Sequence, residues 1–268
     1  MTTIPLDKHL NFAAPTGFVR LVGAGPGAAD LLTVRALRAI ETAEVIVADA
    51  LVSPEVLALA PASARIVDVG KRKGAHSASQ DRINEILVAE ARAGHDVVRL
   101  KSGDPLVFGR AGEEIAALRD AGIAFEIVPG ITAAFAAAAI AEIPLTLRGT
   151  SSSIVFATGH DMRGDTLPDW AGLTLTGATV AVYMGKTVAG RIAGRLIDAG
   201  LSPATPVAVI ANASRSDQEI LGGELADLHR LSDRADLDGP ALILIGEVAA
   251  LGAGAAIEAL STHLARAA

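Results

Sequence analysis

Short apolar runs alternate along the chain with stretches of helical periodicity. Phe18-Val19-Arg20-Leu21-Val22, Val45–Ala48, Val67–Gly70, Val97–Leu100 and Phe125–Val128 read as strands. Between them, Leu31, Leu32, Val34, Leu37 and Ile40 recur at helical spacing, with Asp30 as the expected N-cap. Ile83, Ile86 and Leu87, then Ile115 and Leu118, then the alanine run 133–139 mark further helices. Ile143–Gly149 halts the pattern, and it restarts with strands at Ile154–Ala157, Thr179–Gly185, Pro206–Ile210 and Ala241–Gly246. A helix carrying Ile192, Leu196 and Ile197 lies among them. Strands alternating with helices predict two α/β domains, over 18–148 and 149–268, after a loose tail over 1–17. No internal repeat is found.

The polar positions gather where the apolar runs stop. Val97–Leu100 runs into Lys101 and then Ser102-Gly103-Asp104-Pro105, where Gly103 permits backbone angles that other residues avoid and Pro105 keeps Asp104 out of the helical region. Arg110 and Glu113 follow at the start of a helix, one helical turn apart. Ligands of open α/β sheets lie at such carboxyl ends of strands. The stretch reads either as a ligand site or as a strand-to-helix turn that carries charge. Gly23-Ala24-Gly25-Pro26-Gly27, with Ala28 in the third small position, nearly matches a dinucleotide fingerprint. Pro26 has no N–H to offer a pyrophosphate, so the glycines read as close approach to some ligand or as a tight turn. Asp49 ends the second strand. Lys71-Arg72-Lys73 with His76 reads as a solvated loop or as an anion site. His160 is a candidate general base or a structural turn residue, and Met184 on an apolar strand would ordinarily fill core.

Composition narrows these options. The 268 residues contain no cysteine, which excludes disulfides, a zinc–thiolate site and a cysteine nucleophile; no metal is expected. The chain is 51% hydrophobic, yet no run reaches the ~20 apolar residues of a bilayer span. A net charge of -7 gives no bulk attraction to nucleic acid. The first residues lack the apolar core of an export signal, and the expectation is a cytoplasmic protein with neither nucleic-acid nor membrane partner.

Taken together, VGAGPG (22–27), VGKRKGAH (69–76), RLKSGDPLVFGRAGEE (99–114), VPGIT (128–132), IPLTLR (143–148), ATGH (157–160), YMG (183–185) and PAL (240–242) are specific as a set. In these stretches, from Phe18 to about Val248, the chain resembles the uroporphyrinogen-III C-methyltransferases of the tetrapyrrole methylase family. The resemblance implies two α/β domains with S-adenosylmethionine held in the cleft between them, and a homodimer. It implies methylation of uroporphyrinogen III at positions 2 and 7 to give precorrin-2, with release of S-adenosylhomocysteine, in sirohaem, cobalamin or haem d synthesis. By the same resemblance, cofactor contacts fall on Pro26, Ser102, Gly103, Asp104, Val107, Thr132, Ala133, Met184, Ala213 and Ala241. Acid–base candidates fall on Asp49 and Lys71, and Arg110, Glu113, Arg148 and Met184 match positions tied to substrate binding or proton removal. Ala50, Ser102, Leu106 and Leu147 depart from the family pattern, and the missing arginine at 50 removes one carboxylate contact.

The residue types suit that chemistry. An electron-rich pyrrole carbon attacks a sulfonium methyl without a protein nucleophile, so alignment matters most, worth ~7–11 kcal/mol. A positioned base then removes a ring proton. Lys71, Arg72, Lys73, Arg110, Arg148 and Lys186 form a candidate cationic funnel for a polycarboxylate. Rival readings are a methyltransferase of another tetrapyrrole or corrinoid precursor, an RNA or diphthamide methylase, an NAD-dependent oxidoreductase, and a non-catalytic dimeric binding protein.

Overall fold

A computed structural model describes residues 17–70, 78–159, 170–234 and 238–252. Among these, the strands are β1 (Phe18–Gly23), β2 (Val45–Ala48), β3 (Arg65–Asp68), β4 (Asp96–Lys101), β5 (Phe125–Val128), β6 (Ile154–Thr158), β7 (Thr179–Tyr183), β8 (Pro206–Ala211), β9 (Glu219–Glu224) and β10 (Ala241–Ile245). The helices are α1 (Val34–Glu41), α2 (Pro54–Leu57), α3 (Gln80–Arg92), α4 (Ala111–Asp120), α5 (Ala133–Ile140), α6 (Ala171–Thr174), α7 (Ala189–Asp198) and α8 (Leu228–Ser232). They form two compact units. The first holds 17–23 and 33–129 of the described residues; the second holds 24–32 and the described residues from 130 onward.

The first unit is built on a five-stranded parallel sheet in the order β3-β2-β4-β1-β5. β1 leads on to β2 and β4 leads on to β5, to opposite sides of the sheet, so the central pair β1 and β4 marks a change of winding direction. One face is covered by α3 and α4. Val19, Leu21, Val45, Val47 and Val97 of the strands meet Ile83, Leu87 and Ala91 of α3 and Ala111 and Leu118 of α4. The spacing 83, 87, 91 is the stripe that a 3.6-residue period puts on one side of a helix.

The second unit carries a five-stranded mixed sheet in the order β6-β7-β10-β8-β9. Only β6 and β7 run parallel; β10 is antiparallel to β7 and β8, and β9 is antiparallel to β8. Ile192, Ala193 and Leu196 of α7 and Leu228 of α8 cover one face. Ala134 and Ala137 of α5, and Ala141 just after it, lie in the same core as Ala181, Leu242 and Leu244 on the other face.

Three expectations change. The division between units falls after Pro129, not after Arg148, because α5 and Ile143 pack onto the second sheet. Asp30 does not cap α1; it lies in a 3-10 turn (Ala29–Leu31), and the Thr33 hydroxyl caps the helix by accepting from Ala36 N at 3.1 Å. β9, with Gly222 and Gly223 inside it, was not expected as a strand and closes a hairpin with β8. The tail expectation falls outside the described residues except for Gly17, whose N–H donates to Ala91 O at 2.7 Å.

Candidate active site

In the first unit, β4 carries both the turn and a charged layer beneath it. Val97, Arg99 and Lys101 are alternate residues, so they share one face of the strand. Val97 joins the apolar core under α3 and α4, and the next two positions are cations, 1% and 2% exposed. Glu114, fully buried on the same stripe of α4 as Ala111 and Leu118, meets them. Its Oε1 accepts from Arg99 Nε at 2.9 Å, Lys101 Nζ at 3.0 Å and Gln80 Nε2 at 3.2 Å. Arg99 Nη1 donates to the carbonyls of Val47 and Leu100, and its Nη2 donates to Asp49 Oδ1. Asp49, one residue past β2, is about a third exposed. Burial, and then the neighbouring Arg99 charge, hold the Lys101 ammonium below its ordinary pKa, against the pull of Glu114 and Asp49.

Above this layer the chain turns sharply. Gly103 sits at φ +69°, a conformation open to glycine. Asp104 Oδ1 accepts from Leu106 N at 2.8 Å, and Val107 N donates to Asp104 O, so the turn is closed by its own aspartate. Phe108 and Arg110 follow at φ 52° and 55°. Gly109 between them admits no side chain: a Cβ there would stand 2.6 Å from Pro105 O and 3.2 Å from Lys101 Cε. Arg110 N-caps α4 from this left-handed position and makes a two-pronged pair with Glu113, Nε to Oε1 at 2.7 Å and Nη2 to Oε2 at 2.8 Å. Glu113 raises the arginine pKa, and Arg110 lowers that of Glu113. Both shifts favour the charged forms of the pair, and an ordinary arginine is a poor base.

The second unit brings a second group of expected residues to one end of its sheet. β10 pairs Ala241 with Ala211 and Leu242 with Tyr183. Antiparallel pairing thus sets the start of β10 beside the ends of β7 and β8, and Ala241, Met184 and Ala213 share that end. Tyr183 Oη lies 2.7 Å from Thr132 Oγ1 and accepts from Ala134 N at 3.2 Å, which ties the first turn of α5, with Thr132 and Ala133, to β7. Ala28 N donates to Ser214 Oγ at 3.1 Å, and a Cβ on Gly27 would stand 2.8 Å from Arg215 Cγ, so the segment holding Pro26 lies against the turn after β8. Met184 is 40% exposed rather than core. Met184, Asn212 and Ser214 are left-handed at φ 54°, 48° and 66°. Of the six non-glycine residues with positive φ among those described, only Glu142 lies away from these turns. Such strain concentrates at functional sites.

Arg148 is exposed beside the isolated bridge between Leu147 and Ser151. Of the candidate funnel, Lys71, Arg72 and Lys73 fall outside the described residues, as do His76 and His160. Ala50 lies where a Cβ on Gly70 would fall 2.1 Å from its nitrogen, so residue 70 must be glycine for the two turns to meet. Leu106, one of the departures named above, is 62% exposed. Arg99, Lys101, Glu114 and Tyr183 received no role from the sequence. Two cations at alternate positions of a buried strand were a readable signal, since buried charges demand partners. Among the described residues no helix is long and apolar enough to cross a membrane, and no group of three His, Cys, Asp or Glu could hold a metal.

The sequence profile of the Tetrapyrrole (Corrin/Porphyrin) Methylases matches residues 19–229. Siroheme synthase 2 of Aeromonas hydrophila is 50% identical over 246 residues, which are 92% of this chain and 51% of that protein. The chain thus spans about half the length of the curated relatives it matches. The crystal structure of uroporphyrin-III-C-methyltransferase from Thermus thermophilus is 42% identical with a TM-score of 0.74, covering 88% of this chain and 95% of that one. A Thermus thermophilus uroporphyrin-III C-methyl transferase complexed with S-adenyl homocysteine gives 36% and 0.75, over 88% and 100% of the two chains. With this fold, these turns and these likenesses, the chain belongs to the tetrapyrrole methylase family.

Proposed function

We propose that the protein methylates uroporphyrinogen III at positions 2 and 7, giving precorrin-2 and S-adenosylhomocysteine. The observation that carries this reading is the 42% identity to the Thermus uroporphyrin-III-C-methyltransferase over 95% of its length.

The residues fit S-adenosylmethionine on this chain's own terms. The 102–110 turn presents backbone through Gly103 and two left-handed residues, and Ser102 and Asp104 add polar side chains at the strand end. Pro26, Val107, Thr132, Ala133, Met184, Ala213 and Ala241 are the remaining proposed contacts. The donor supplies an electrophilic methyl. In this reading Arg110, its plane fixed by Glu113, clamps a substrate carboxylate. Arg148 adds a second cation for the same polycarboxylate, and Met184 lies against the ring. Asp49, held by Arg99, takes the ring proton; Lys71 is the proposed acid–base partner. We also propose a homodimer, to be checked by sedimentation equilibrium.

The test is turnover. Uroporphyrinogen III and methyl-labelled S-adenosylmethionine should give a product carrying two labelled methyl groups by mass spectrometry. Absence of label on uroporphyrinogen III refutes the proposal.

A further inference from the structure

We infer that Glu114 is a positioning residue for both strand ends of the proposed site: through Arg99 it places Asp49, and through Lys101 it places the 102–110 turn. The inference rests on the reading of Asp49 as the group that takes the substrate's proton.

The same layer of the neighbouring strands is filled by Val19, Leu21, Val45 and Val47, so apolar side chains suffice to hold α3 and α4 on this face. Arg99, Lys101 and Glu114 instead bring three ions out of water, with Asp49 as the fourth at the edge. Their charges cancel, and apolar replacements are often no less stable than such a cluster. What the cluster supplies that leucines would not is fixed geometry. Gln80, Arg99 and Lys101 all bond one oxygen of Glu114, Oε1, while Oε2 is buried with no hydrogen bond among the described residues. That oxygen locates the Nε edge of Arg99 from one side, and the carbonyls of Val47 and Leu100 locate Nη1 from below. The plane of the guanidinium is then set, and Nη2 is aimed at Asp49. Lys101 runs from the same oxygen beneath Gly109, where its Cε would lie 3.2 Å from any Cβ, and it is the last residue before the turn. One carboxylate thus sets two arms.

The full chain and three variants test this with two readouts: affinity for S-adenosylhomocysteine by calorimetry, and single-turnover methyl transfer at saturating donor. Arg99→Lys keeps the charge, but one ammonium does not span from Glu114 to Asp49. The rate should fall about 10²-fold, as for a misplaced reacting group, with affinity held within about twofold. Lys101→Met keeps the stem beneath Gly109 and drops the ion. Affinity should weaken about tenfold, with a smaller loss of rate. Glu114→Gln keeps the shape and should show both losses. Circular dichroism melting establishes that each variant is folded, and Lys101→Gln replaces Lys101→Met should the latter not fold. Variants that shift both readouts in common proportion, as general loosening would, overturn the inference, and so do variants that shift neither. A parent chain that binds S-adenosylhomocysteine but leaves uroporphyrinogen III unlabelled overturns the proposed function instead. The Lys101 arm is then still decided by affinity.

Discussion

Replacing Glu114 with leucine removes the buried anion and leaves an apolar side chain in its place. Arg99 and Lys101 remain, 1% and 2% exposed, with only Asp49 opposite them. Removing one partner from a buried ion cluster leaves charge uncompensated and costs about 3–5 kcal/mol. That is a large share of the ~5–15 kcal/mol by which a domain is stable. The loss should depend on pH in a defined sense. Lys101 already has a folded pKa below its ordinary 10.5, through burial and Arg99, while Glu114 pulls it up. Without Glu114 the folded value falls further. Between the folded and unfolded values the unfolded chain holds more protons, so stability rises with pH, by up to about 1.4 kcal/mol per unit. Glu114→Leu should therefore be weakest relative to the parent near pH 7 and regain part of the difference by about pH 10. The only tryptophan, Trp170, lies in the second unit, so its fluorescence does not report on this site. Amide hydrogen exchange of β1 and β4 does. A loss below about 1 kcal/mol at pH 7, or one of equal size at both pH values, refutes the argument. Adding Lys101→Met to Glu114→Leu should recover most of the loss, and a double-mutant cycle measures that coupling.

Gly103→Val puts a branched side chain at φ +69° in the 102–110 turn; calorimetry should show S-adenosylhomocysteine binding weakened at least about tenfold in a folded protein. Arg110→Lys keeps the charge and loses the fork that Glu113 holds, so uroporphyrinogen III binding should fall while cofactor affinity stays; normal binding with slow turnover would make a proton-transfer role the better reading. Tyr183→Phe leaves Ala134 N and Thr132 without the phenol oxygen and should cost about 1–3 kcal/mol, read from Trp170 fluorescence on unfolding, with no loss indicating that water replaces it.

Period-2 and period-3.6 patterns are local properties, so β2 and β5 begin and end where the apolar runs do. Turn chemistry is local as well: Ser102-Gly103-Asp104-Pro105 breaks the strand because of what glycine and proline permit. The motif set, read by resemblance, led to the family that the comparisons show. Pairing is a property of the tertiary structure. Nothing within Ala241–Ile245 says that it runs antiparallel between β7 and β8, yet that pairing is what brings Ala241 to Met184 and Ala213. The place of α5 was decided in the same way. Its alanines are small on every side, so no stripe in the sequence chose a sheet for it, and the apolar face of Ala181, Leu242 and Leu244 did. Asp30 suits an N-cap by residue type, but the backbone puts it in a 3-10 turn and the Thr33 hydroxyl caps α1 instead. The carboxylate partners of Arg99 and Lys101 lie outside β4, 15 residues away for Arg99 to Glu114 and 50 for Arg99 to Asp49. A buried charge announces in the sequence that a partner exists; only the packing of α3 and α4 on the sheet says which one.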